Sequence, residues 1–212
     1  MTRHAAFQPV RDFEAALGAY TGAPYVVSCD SCTNAIFLAL LFCRREIHFL
    51  DGAPTACLPE RTYIGVAQAA KNAGYELAWR DEAWAGEYEV WLALALGMAN
   101  PRLFDAAKRF TAGMYRPGTL QCISFQAGKI LPIGRGGAIL TDSAEAAAWL
   151  RRARFDGRGE GEDPTITTPG WHMYLTPPDA ARGLWLLSWA AKDNPDLPCD
   201  EYDDLSQLEA FR

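Results

Sequence analysis

The chain has 212 residues, 50% of them hydrophobic, and a formal net charge of −6 with a pI of about 5.1. That length and composition suit one domain with a sizeable core, or a core with a short tail. The acidic balance and the lack of a basic stripe argue against electrostatic binding of nucleic acid, and Arg151, Arg152 and Arg154 read as the solvated face of a helix. The N-terminal stretch MTRHAAFQPV lacks the apolar centre of a signal peptide, and no apolar run approaches a membrane span. A cytoplasmic protein with no membrane partner is expected.

In chain order, a helix is predicted over 9–20 and a strand over 24–29 (PYVVSC) that runs into a second helix over 31–44, where Ile36, Leu40 and Cys43 share one face. Further strands are predicted near 55–58, 75–79, 89–94, 101–104, 119–124 and 137–141, and further helices over 63–73, 143–155 and 179–192. Short apolar segments alternating with helical patterns indicate an α/β sheet with helices on both faces. A loop from Gly157 to Pro178 is long enough to be functional or disordered. The acidic, Pro-containing segment from Asn194 onwards either docks or stays free.

The six cysteines include Cys29 and Cys32 at redox or zinc spacing, but no second pair and no nearby histidine completes a metal set. They read as thiols in a reducing cytosol. His4, His48 and His172 are scattered, and their spacing makes neither a triad nor a metal cluster.

Lys129 follows the apolar run TLQCIS and precedes the turn Gly134-Arg135-Gly136-Gly137. An amine at the mouth of a sheet can form a Schiff base with a carbonyl compound or with pyridoxal phosphate. That chemistry asks for three partners. Ser31 and Thr33, where a strand meets a helix, offer an anion site, although either hydroxyl also suits an N-cap. Asp105 ends RLFD, where a strand delivers a carboxylate to a crevice and would keep a pyridine nitrogen protonated, or else caps the segment after it. Tyr63 stands at a third strand-to-helix junction, as a ring cover or as core.

Four stretches in the same order resemble the DegT/DnrJ/EryC1/StrS family of PLP-dependent sugar aminotransferases. They are FEAALGAYTGAPYVVSCDSCTNAIFLALL, LPERTYIGVAQAAKNAGYELAWRD, FDAAKRFTAG and TLQCISFQAGKILPIGRGGAILTD, and the resemblance as a whole covers about residues 9 to 185. The resemblance implies a three-layer α/β sandwich with a mostly parallel central sheet, the large domain of fold type I, over 1–193, with 194–212 as a tail. It implies pyridoxal 5'-phosphate as cofactor, Lys129 as Schiff-base lysine, Asp105 as pyridinium partner and Tyr63 as stacking aromatic. Ser31, Cys32, Thr33 and Ser124 would bind the phosphate, and Lys108 would lie near the phenolic oxygen. PGWHMYLTPPDAARGL resembles the loop that reaches the partner subunit's site, so His172 or Tyr174 would serve there in a homodimer with the cofactor at its interface.

The pattern also departs from the family's. Cys32 replaces a glycine, Lys108 a glutamine or histidine, and Gln126 a histidine, while the family's smaller C-terminal domain has no counterpart before Arg212. Three functions follow as expectations. The first is transfer of an amino group from an amino acid to a small keto substrate. The second is another PLP outcome, decarboxylation or elimination on an amino-acid-bearing substrate such as a modified nucleotide or nucleic-acid base. The third is a non-catalytic relative acting as scaffold or sensor.

Overall fold

A computed structural model describes residues 3–45, 53–93, 102–160, 165–199 and 202–211. Within these, helices α1 (Arg3–Ala6), α2 (Gln8–Thr21), α3 (Cys32–Arg45), α4 (Ile64–Asn72), α5 (Ala144–Ala153) and α6 (Pro177–Leu187) surround strands β1 (Tyr25–Cys29), β2 (Thr55–Pro59), β3 (Glu76–Arg80), β4 (Tyr88–Ala93), β5 (Arg102–Asp105), β6 (Thr119–Ser124) and β7 (Gly137–Thr141). Positions 94 and 101 of the expected strands, and His48, lie outside the described residues.

The strands form one sheet in the order β1-β7-β6-β5-β4-β2-β3. The residues of β6 and β7 are all buried, as befits a sheet covered on both faces. The strand pleat sorts side chains between two cores: Val27, Cys29, Cys122 and Ile139 pack with α3, α4 and α5, whereas Val26, Ile123, Ala138 and Leu140 pack with α2 and α6. This is the expected three-layer sandwich.

Strands β1, β2, β3, β5 and β6 run one way, while β4 and β7 run against them. The sheet is therefore mixed, and most neighbouring pairs are antiparallel. The reversal of β4 follows from its connection. Only residues 81–87 separate it from β3, and a parallel return needs a crossover of about a dozen residues or more.

Local chemistry fixes the helix ends. Pro9 opens α2, and Gly22, at φ +83°, closes it by donating its N–H to the Gly18 carbonyl at 2.9 Å. Ser143 caps α5 by accepting from Ala146 N at 3.1 Å, and Thr176 caps α6 ahead of Pro177 and Pro178. Helix α6 stops at Leu187, short of the expected residue 192.

The basic triplet at the end of α5 departs from expectation. Arg154 is fully buried rather than solvated: its guanidinium pairs with Glu14 at 2.5 Å and also with Glu160, and it donates to the Ser28 carbonyl. Arg151 lies 3.8 Å from Glu14 and donates to the Val26 carbonyl, and only Arg152 keeps an exposed hydrogen bond, to the Thr165 carbonyl. The physical reason is the buried Glu14 of α2, also 2.8 Å from Ser28 Oγ, since a buried carboxylate is retained only when its charge is paired.

The described residues of the C-terminal segment dock. Leu205 N donates to the Glu60 carbonyl at 2.9 Å, and Leu205 and Phe211 join the core under α4. No helix of the described residues is long and apolar enough to cross a membrane.

Candidate active site

The site grows from strand ends. Strands β1, β5 and β6 bring Asp30-Ser31, Asp105 and Ser124 to the same edge of the sheet, and α3 and α4 start there, which is where open α/β sheets bind ligands. A cavity of about 350 Å³ is lined by Ser31, Cys32, Thr33, Tyr63, Asp105, Ser124, Gln126 and Lys129 together with Trp84, Arg135 and Tyr202.

Lys129 is held by its turn. Its N–H donates to the Gln126 carbonyl at 2.9 Å, the Gln126 side chain accepts from Gly128 N at 2.8 Å, and the half-buried Lys129 side chain faces the cavity. Beyond it the chain folds back, with Phe125 N donating to the Gly136 carbonyl at 2.9 Å. Gly137 then passes against the first turn of α3, where a Cβ would stand 2.4 Å from Cys32 N. No residue larger than glycine fits that approach without moving backbone.

At the start of α3, Ser31 Oγ accepts from Asn34 N at 3.1 Å, so Ser31 is the N-cap as well as a cavity residue. Asn34 reaches back to Asp30 at 2.7 Å, and Arg135 pairs with Asp30 at 3.1 Å at the rim. The first N–H groups of a helix have no intrahelical acceptor, and with the helix dipole they favour an anion. Ser124 stands across from them at the end of β6, 3.4 Å from Gln126 N.

Asp105 is 2% exposed. Its carboxylate accepts from Ala107 N at 2.9 Å, and β4 places Tyr88 opposite it in register. The Tyr88 hydroxyl lies 2.7 Å from Thr62 Oγ1 and also hydrogen-bonds Asp105. Burial pushes the Asp105 carboxyl above its ordinary value, opposed by the Ala107 N–H, by the Tyr88 hydroxyl and by the charges of Lys129 and Lys108. Burial, reinforced by the Asp105 charge, likewise raises Tyr88 and Cys32 well above their ordinary values. Tyr88 is thus a protonated donor to Asp105, and Cys32 a neutral thiol rather than a nucleophile.

Lys108 and His172 lie outside this chain's own cavity. Lys108 does not line the cavity; it is 4% exposed, donates its ammonium to the Pro198 carbonyl, and sits 4.8 Å over the Tyr202 ring. His172 is exposed, 3.2 Å from Asp156, with its ring edge-on to Tyr174, which packs on Phe7 and Phe155. Four residues were missed from the sequence: Trp84, Arg135, Tyr202 and Tyr88. The alternation in YEVW could have placed Tyr88 inward, but Trp84 and Tyr202 are neighbours only through tertiary packing.

The residues present fit pyridoxal phosphate. A buried carboxylate needs a compensating cation, which a protonated pyridine nitrogen supplies. The α3 N-terminus with Thr33 and Ser124 suits a phosphate, Lys129 an aldehyde carbon, and Tyr63, 52% exposed at the α4 start, the ring face.

The sequence pattern of the DegT/DnrJ/EryC1/StrS aminotransferase family matches residues 4–81 and 104–192. The fold is similar to that of a DegT/DnrJ/EryC1/StrS aminotransferase from Brucella abortus, at 21% identity and TM-score 0.65, over 85% of this chain and 58% of that one. It is also similar to a sugar aminotransferase from Micromonospora echinospora, at 19% identity and TM-score 0.70, over 85% of this chain and 60% of that one. A third similar structure is the PLP form of Spr1654 from Streptococcus pneumoniae, at 16% identity and TM-score 0.66, over 86% of this chain and 59% of that one. The chain thus spans less than two thirds of the length of each. No curated protein matches it. With the family pattern covering most of its length and the fold reproduced, the chain belongs to the DegT/DnrJ/EryC1/StrS aminotransferase family.

Proposed function

We propose that this chain binds pyridoxal 5'-phosphate and transfers an amino group from an amino acid to a small keto substrate. The observation that carries the proposal is the buried Asp105 carboxylate facing the same cavity as Lys129 and the α3 N-terminus. When bound, the cofactor supplies an electron sink for the bonds at the substrate's amine-bearing carbon.

The chain's own residues then have definable tasks. Lys129 Nζ would hold the aldehyde carbon and, as a free amine, is placed to carry a proton to and from the substrate carbon. Asp105, aimed by Ala107 N and Tyr88, keeps a positive charge at the ring nitrogen. Thr33, Ser124 and the first N–H groups of α3 bind the phosphate, and Tyr63 covers the ring. The reading includes a homodimer in which His172 reaches the partner's site.

Transamination is favoured over decarboxylation or elimination because Lys108, the substitution that pointed to another outcome, has its ammonium bound to the Pro198 carbonyl beside Tyr202. The test is single-turnover production of 2-oxoglutarate from L-glutamate by cofactor-loaded protein. One equivalent per site is expected, with none from Lys129→Ala. Release of carbon dioxide, or of free ammonia alongside the keto acid, would support the other PLP outcome, and no product from any amino acid would leave a scaffold or sensor.

A further inference from the structure

The family pattern skips residues 82–103 and stops at 192. The described parts of those two unmatched stretches pack against each other. Ala85 bridges to Pro198, and Gly86 N donates to the Leu197 carbonyl at 3.2 Å. Gly86 lies so close to the tail that a Cβ there would stand 2.2 Å from Asp196 Cγ. Asp196 is in turn gripped by Arg109, with Nε 2.9 Å from Oδ1 and Nη2 2.5 Å from Oδ2.

This seam carries two aromatic rings into the cavity wall. Trp84 is oriented by its indole N–H, which donates to the Arg61 carbonyl at 2.9 Å. Tyr202 lies nearly parallel to it, with centroids 6.2 Å apart and planes 14° apart, and its ring is 6.4 Å from that of Tyr63. Lys108 fixes the arrangement from behind: its carbonyl accepts from Leu197 N at 2.9 Å, its ammonium is bound to the Pro198 carbonyl, and that charge sits over the Tyr202 ring. A buried ammonium facing a tail carbonyl holds the tail in one place.

We propose that residues 84–88 and the described residues 196–199 and 202 together build the substrate-facing wall, that Tyr202 selects substrates presenting the flat face of a ring, and that Lys108 is a positioning residue for Tyr202. This rests on the function proposed above. The wall offers aromatic rings, and such rings favour a π face or the C–H face of a sugar ring over an open chain.

The test uses the whole 212-residue chain, loaded with cofactor, and three amine probes: L-phenylalanine for an aromatic ring, glucosamine for a sugar ring, and L-alanine for neither. Saturable change of the visible cofactor band gives an apparent Kd for each. Wild type is expected to prefer at least one ring probe over L-alanine, and which one it prefers identifies the kind of ring. Tyr202→Ala is expected to reduce that preference ratio roughly tenfold, the order of one lost stacking contact, while keeping the cofactor band. Tyr202→Phe should retain the ratio, and Lys108→Met should lower it by a smaller factor. A wild type without ring preference, or a Tyr202→Ala protein in which all three probes weaken alike, overturns the proposal. Absence of a cofactor band in wild type overturns the function reading and this one with it, and is distinct from a normal band with no ring preference.

Discussion

At the scale of single residues, Asp105 sets a conflict between stability and binding. A carboxylate without water around it is held in its charged form only by the Ala107 N–H, the Tyr88 hydroxyl and nearby ammonium groups, and burial still outweighs them. Because its folded value is raised above the ordinary 3.8, the folded state binds a proton more tightly than the unfolded state. Stability from this group is therefore present at low pH and is lost as pH rises through the folded value. Cofactor-free Asp105→Asn should unfold at a higher urea concentration than wild type at pH 7, with the gain fading as pH falls toward 3.8. An Asn variant less stable than wild type at neutral pH would contradict this. The Lys129 and Asp105 positions were legible because Asp105 ends an apolar strand and Lys129 stands in the turn just after another, a local signal. The destination of Lys108 was not, because the same ammonium can serve a cofactor or a distant carbonyl, and residue 198 lies far along the chain. Arg154 misled for a related reason, since an arginine at the end of an amphipathic helix reads as solvated until its buried partner on α2 is known.

At the scale of elements, the strand-to-helix junctions carry the site. The anion end of the cavity depends on how closely the start of β7 approaches the start of α3, and glycine at 137 is what permits it. Gly137→Ala would put a Cβ 2.4 Å from Cys32 N and 2.6 Å from Cys32 Cα, so one backbone segment must shift. A cost of about 1–3 kcal/mol in urea unfolding is expected, together with weaker cofactor binding. A variant of unchanged stability and affinity would show that the approach is not needed. The strands themselves were readable, as short apolar runs bounded by turn residues, and so was the alternation with helices. The direction of β4 was not read. Strand direction is set by the length of the connection, and the short passage over 81–87 becomes decisive only once β3 and β4 have both been bounded.

At the scale of the whole molecule, the sheet, its two flanking helical layers and the cavity at its strand ends follow the family, while the stretch after β3 and the C-terminal segment depart from it together. Their mutual packing could not be read from sequence, because a stack between Trp84 and Tyr202 leaves no periodic trace in either segment. The central claim is that one cofactor is held at Lys129 with Asp105 behind its ring. The most direct measurement is an absorbance titration of the full chain with pyridoxal 5'-phosphate, run in parallel on wild type and Lys129→Ala. A visible band that saturates at one equivalent per chain in wild type and is missing in the variant is the expected result. A wild-type spectrum indistinguishable from that of Lys129→Ala would contradict the claim.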